Sequence, residues 1–143
     1  MPIRKAAHVS YNIQYHFVWI PKYRKMLLKA EIAQELEQLI YGIAERYGFA
    51  VYEMAIAEDH VHLFLSAPPR YAPSQIMDKI KGITATKLFQ RFPSVKAMLW
   101  GGHLWSRGYY VGTSGDKVTN DVIQRYIQYQ KEQDSQTAQG ELF

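Results

Sequence analysis

A chain of 143 residues is one domain's worth, long enough to bury about two-thirds of its unfolded surface in a single core. Its 48% hydrophobic and 21% charged residues exclude a disordered or fibrous polymer, and the absence of Cys excludes disulfides and thiolate metal centres, which fits a reducing compartment. Seventeen Lys and Arg against thirteen Asp and Glu leave +4, a modest bias toward polyanionic partners. No apolar run reaches membrane-spanning length, and the charged start MPIRKAAHVS has no apolar segment behind it, so the expected location is the cytoplasm.

Residues 9–19, VSYNIQYHFVW, alternate with period two, which predicts a first strand. Tyr11, Ile13, Tyr15, Phe17 and Trp19 take one face; Asn12, Gln14 and His16 take the other. Pro21 and the basic tract KYRK end it. From about Lys29 the residues Ile32, Ala33, Leu36, Leu39, Ile40 and Ile43 recur at helical spacing, and Gly48 supplies the stop. FAVYEMAIA and HVHLFLSA then read as two strands joined in a hairpin by Glu58-Asp59. Pro73 opens a second helix, carried by Ile76, Ile80, Ile83, Ala85 and Leu88 to about Arg91. After Pro93 the pattern is irregular until RGYYVGTSG, a fourth strand. A third helix opens at Asp116 with Val118, Val122, Ile123, Tyr126, Ile127 and Gln130 on one broad face, and beyond about Gln133 the polar tail is expected to fray.

The order β-α-β-β-α-β plus a helix is the split βαβ arrangement of ferredoxin-like folds. The predicted class is α+β: an antiparallel sheet with its first and third strands central, helices on one face, a last helix added, and the other face open. On the third strand Val61, Leu63 and Leu65 must face the helices, so His60, His62 and Phe64 point to the open side. Two imidazoles roughly 7 Å apart along a strand can turn nitrogens toward one ion. The competing reading is two surface imidazoles that bind nothing. Tyr126 and Gln130, four apart on the last helix, add a hydroxyl and a hard amide oxygen. With a cation to polarise a phosphodiester, a Tyr hydroxyl is a usable nucleophile; without one, Tyr126 is an amphipathic core residue. Tyr129 is its rival.

The four stretches YHFVWIPKYRK, DHVHLFL, LWGGHLWSRGYYVGTSG and NDVIQRYIQYQ, in this order, resemble the small single-tyrosine HUH transposases of bacterial and archaeal insertion sequences. The resemblance covers most of the chain. It implies a single transposase domain over residues 1–133 with a flexible tail over 134–143. Carried over residue by residue, it implies His60, His62 and Gln130 as metal ligands and Tyr126 as the catalytic nucleophile of the last helix. The activity implied is cleavage and rejoining of single-stranded DNA through a 5′-phosphotyrosine link, with subterminal DNA hairpins recognised. It also implies a homodimer whose active sites are shared between subunits. The oxygen ligand and the absence of Cys favour Mg²⁺ or Mn²⁺. No phosphate-loop or dinucleotide glycine motif occurs, and transesterification needs no nucleotide cofactor.

Lys22, Tyr23, Arg24 and Lys25, and Lys79, Lys81, Lys87 and Arg91 on the second helix, are candidates for DNA contacts, competing with plain solvated charge. Tyr23 and the aromatics of WGGHLW are candidates for stacking on bases, although Trp100 and Trp105 read better as core. His16 either lies near the cation or fills the sheet face; His8 and His103 stay unassigned. The main alternative function is a non-catalytic RRM-like module binding single-stranded nucleic acid, which shares the strand order but needs aromatic rings where His60 and His62 stand. A metal-dependent hydrolase and a purely structural dimer are the remaining rivals.

Overall fold

The computed structural model describes residues 3–22, 28–99, 102–113 and 119–142. Tyr23, Arg24, Lys25, Trp100 and the expected helix opening at Asp116 lie outside these described residues. The elements are β1 (Arg4–Lys5), β2 (Ser10–Tyr11), β3 (Gln14–Trp19), α1 (Ala30–Tyr47), β4 (Ala50–Ala57), β5 (His60–Ser66), α2 (Pro73–Arg91), α3 (Pro93–Met98), β6 (Tyr110–Gly112) and α4 (Asn120–Leu142). Four strands pair antiparallel in the order β4-β5-β3-β6, so β3 and β5 are central, as the split βαβ order predicts.

Alternation along these central strands sorts the side chains onto two faces. Phe17 and Trp19 of β3 and Val61, Leu63 and Leu65 of β5 point to α1 and α2. There they meet Leu36, Ile40, Ile43, Ile76, Ile80 and Leu88 in one core. Burying a side chain such as Leu63 completely is worth about 1.5–3 kcal/mol. α1 stops where Gly48 takes a left-handed φ of 76°, which costs glycine nothing. α2 starts with Pro73 in its first turn, and the Gln75 side chain accepts the Ala72 N–H at 2.7 Å. Its imperfect apolar pattern has a cause: Thr84 is buried inside it, donating to the Ile80 carbonyl at 2.6 Å and accepting the Trp105 indole N–H at 3.0 Å. Trp105 is core, stacked edge-on against Trp19.

Four differences from the sequence reading have local reasons. The first predicted strand breaks after Tyr11, because Ser10–Tyr11 pair with Arg4–Lys5 in a separate two-stranded ribbon. Pro93 starts a short helix, α3, whose Val95 is buried in the core. The sheet face expected to be open is partly covered: Ile123 and Ile127 of α4 bury against Val18 and Ile20. Finally α4 does not end near Gln133 but runs to Leu142, and Asp134, placed in the expected tail, is 5% exposed.

Leu63→Ala should lower the unfolding free energy by about 2–5 kcal/mol, seen as a lower urea midpoint at unchanged m. Ile127→Ala removes contacts from a cluster that, among the described residues, has four buried members. Its expected signature is local: faster amide exchange in α4 with β5 still protected.

Candidate active site on the sheet face beneath the last helix

Residues paired across neighbouring strands share a face. Register sets His16 opposite Phe64 and Val18 opposite His62, so both rings lie away from α1 and α2, on the side where α4 docks. The face is not solvent-open at this point, since His16 is 1% and His62 8% exposed. His60 Nδ1 lies 3.0 Å from Asp59 Oδ1. A carboxylate only accepts, so Nδ1 carries a proton, and in the neutral ring Nε2 is the nitrogen with the free lone pair. His62 Nε2 lies 3.2 Å from His16 Nδ1. When His62 donates in that bond, its own Nδ1 keeps a lone pair. Burial above all, then His16 and His60, pushes the His62 pKa down against the pull of Glu53, which holds the ring neutral at neutral pH. The pair is therefore chemically suited to a divalent cation. His16, left open by the sequence, is fixed by stacking on Phe64, 4.0 Å between centroids and 4° from parallel.

On α4, residues at four-residue spacing form a polar ladder. The Tyr126 hydroxyl donates to Gln130 Oε1 at a long 3.3 Å, and Gln130 Nε2 donates to Asp134 Oδ1 at 3.2 Å. Ser106 Oγ donates to the same Oδ1 at 2.7 Å. Burial, Asp134 and Tyr129 together push the Tyr126 pKa well above the ordinary phenol range, so the hydroxyl stays protonated. Tyr129, by contrast, is 58% exposed. Lys131 Nζ lies 4.0 Å from Asp59 Oδ2, which brings α4 beside the turn leading into His60 of the same chain. A cavity of about 560 Å³ opens along this ladder, with Lys22, Arg107, Tyr110, Tyr126, Gln130 and Asp134 in its wall. Asp134 and Ser106 were missed in the sequence. The signal for Asp134 was present, as the next rung after Gln130.

The other candidates scatter. Lys22 is in the cavity wall and 4% exposed. Lys79 sits 4.6 Å above the Tyr47 ring and 5.6 Å above Tyr71. Lys81 Nζ donates to the carbonyls of Ser106, Arg107 and Gly108 at 2.7, 3.1 and 3.3 Å. Burial pushes its pKa down to about 8, against Asp78 and Asp134. Lys87 and Arg91 are exposed on α2, which packs on the opposite face of the sheet from the histidines. Among the described residues no three His, Cys, Asp or Glu side chains group as a metal centre. No described helix is long and apolar enough to cross a membrane.

A histidine whose folded pKa is lowered binds fewer protons in the folded than in the unfolded chain just below pH 6.5. The His62 contribution is therefore complete above pH 6.5 and lost as pH falls toward the folded pKa. Urea titrations between pH 7.5 and 5 should show stability falling with acid, and His62→Phe should flatten that slope; an unchanged slope would contradict the burial argument.

The chain is similar to known transposases over most of its length. A family model described as "Transposase IS200 like" matches residues 9–130. The chain is 35% identical over 134 residues to the ISDra2 transposase TnpA of Deinococcus radiodurans, covering 94% of this chain and 95% of that protein. It is 31% identical over 131 residues to the transposase for insertion sequence element IS200 of Salmonella typhimurium, covering 92% and 85%. A solved Deinococcus radiodurans chain described as a transposase superposes with a TM-score of 0.80 at 34% identity, covering 89% of this chain and 97% of that one. A REP-associated tyrosine transposase, solved bound to a REP hairpin, shares the fold at a TM-score of 0.53 and 15% identity, covering 90% and 70%.

Proposed function

This chain belongs to the IS200-like transposase family and is a DNA transposase, and we propose that it cuts and rejoins single-stranded DNA with Tyr126 as nucleophile. The observation that carries this reading is the Tyr126–Gln130 pair on a helix seated over the sheet face that bears His60 and His62. The phenol oxygen attacks a backbone phosphorus, the bond to the 3′ oxygen breaks, and the 5′ phosphate stays on Tyr126. The freed 3′ hydroxyl can later attack that phosphotyrosine and restore a phosphodiester. One ester is exchanged for another at each step, so no nucleotide triphosphate is consumed.

A buried phenol with a raised pKa gives up its proton only where positive charge compensates. Mg²⁺ or Mn²⁺ held by the imidazoles of His60 and His62 and the amide oxygen of Gln130 would supply that charge and polarise the phosphate. The chain's own part is to keep His62 neutral, to direct the His60 Nδ1 proton to Asp59, and to bring the phenol to the same face. Lys22 and Arg107 put positive charge on the cavity wall, where a DNA phosphate would pass. The fold likeness to a protein solved on a REP hairpin supports hairpin-ended DNA as the element recognised. We place the enzyme in a homodimer with shared sites. Among the described residues the buried apolar contact between α4 and its own sheet is small, Ile123 and Ile127 on Val18 and Ile20 with Tyr110 and Tyr126 beside them, a contact that can exchange for the same one on a partner's sheet.

With Mn²⁺ and a single-stranded substrate carrying the element's end, the protein should form a covalent 5′ adduct visible as a shifted band in denaturing gels. Tyr126→Phe should abolish it and Tyr129→Phe should not; the reverse pattern would reassign the nucleophile. Mixing His60→Ala with Tyr126→Phe subunits should restore adduct formation. Continued inactivity after confirmed subunit exchange would mean that each site is assembled within one chain, as α4 is seated here.

A further inference from the structure

We propose that Asp134 is a positioning residue that sets which way the Gln130 amide faces, so that its oxygen and not its nitrogen points to Tyr126. This deepens the functional reading above and rests on Gln130 acting there through its oxygen.

An amide side chain has two nearly isosteric ends, and what surrounds it must choose between them. The Tyr126 hydroxyl cannot choose, because it can donate to an oxygen or accept from a nitrogen. Gly108 leaves room for the amide. It has no side chain, and a Cβ built there would collide with the Gln130 amide oxygen, so this loop approaches the amide edge through backbone alone. Asp134 does choose. Its Oδ1 lies 3.2 Å from Gln130 Nε2, and turning the amide over would set oxygen against oxygen across that distance. With the nitrogen committed, Oε1 is held toward Tyr126, 3.3 Å from the hydroxyl.

The carboxylate is itself pinned. Ser106, fully buried, donates its hydroxyl to the same Oδ1 at 2.7 Å. The Ser106 carbonyl in turn accepts from Lys81 Nζ at 2.7 Å, and the two following carbonyls share that ammonium. Lys81 thus holds the loop that carries Ser106 and Gly108, and it brings a compensating positive charge toward the buried acid. Strand-like contacts set the start of the same loop, with Ser106 N–H donating to the Ile20 carbonyl at 3.0 Å and Lys22 N–H to Leu104 at 2.8 Å. Among the described residues, the other carboxylate oxygen, Oδ2, is buried without a hydrogen-bond partner. Both hydrogen bonds to the acid, from the Ser106 hydroxyl and the Gln130 amide, therefore converge on the one oxygen Oδ1.

The test follows the Gln130 side-chain amide by ¹⁵N NMR in the full-length protein and measures Mn²⁺ affinity calorimetrically in the same samples. In the wild type the two Nε2 protons should be resolved and protected from exchange; random-coil exchange would overturn the proposal without any variant. Asp134→Leu, which keeps the branched shape but offers no acceptor, should lose that protection, and Asp134→Ala gives the same comparison if Leu does not fold. Asp134→Asn should retain it, since its carbonyl oxygen can replace Oδ1. Protection that survives Asp134→Leu or Asp134→Ala would overturn the proposal. Mn²⁺ affinity should weaken roughly tenfold or more in Asp134→Leu and stay near wild type in Asp134→Asn. If Gln130→Ala leaves Mn²⁺ affinity unchanged while the amide protection still depends on Asp134, the positioning role stands and the ligand role of Gln130 falls.

Discussion

Six consecutive antiparallel pairs, from Gln14 opposite Ser66 to Trp19 opposite Val61, bind β3 to β5 at the centre of the sheet. The register of this ladder is the constraint on which the rest depends. A slip of one residue would send Phe17, Trp19, Leu63 and Leu65 out of the core and turn the imidazoles into it. The apolar mass on the helix side therefore fixes the chemistry on the other side. Five fully buried side chains, Phe17, Trp19, Val61, Leu63 and Leu65, enforce a placement that His16 and His62 could not enforce alone.

What lies on the second face is a polar arrangement with a small apolar anchor. Ile123 and Ile127 seat α4 on Val18 and Ile20, and the ladder Tyr126–Gln130–Asp134 then runs past the cavity. The two halves of the site differ in rigidity. His16, His62 and Phe64 are locked by strand pairing and ring stacking, whereas the phenol and amide ride on a helix with few apolar contacts beneath it. On the proposed function, a nucleophile that carries a covalently attached DNA strand from cleavage to rejoining would be well served by such a carrier, and cation ligands by a fixed sheet.

Much of this was legible in the residues because period-two and 3.6-residue patterns are written locally. The split βαβ order, the central place of the first and third strands, the hairpin at Glu58-Asp59 and the shared side of His60 and His62 all followed from alternation alone. The losses came where a residue's role depends on a distant partner. Nothing near Thr84 announces that it is buried to receive Trp105, and nothing in the polar run after Gln130 announces that Asp134 is held by Ser106. Ending the last helix at Gln133 on polarity missed, by one residue, the rung that orients Gln130. The cation-rich α2 also has partners that the sequence does not announce. Its lysines look like a phosphate-binding stripe in sequence, yet Lys79 covers the Tyr47 and Tyr71 rings and Lys81 ties down a loop.

The central claim is that β3–β5 register builds a cation platform from neighbouring imidazoles beneath the tyrosine helix. Pulsed EPR on the Mn²⁺-loaded protein tests it directly, because imidazole nitrogens bound to Mn²⁺ modulate the electron spin echo. The account predicts nitrogen modulation that changes isotope pattern in ¹⁵N-histidine-labelled protein and weakens when either His60 or His62 is replaced. An echo modulated by solvent protons alone, with no histidine nitrogen in either sample, would contradict it.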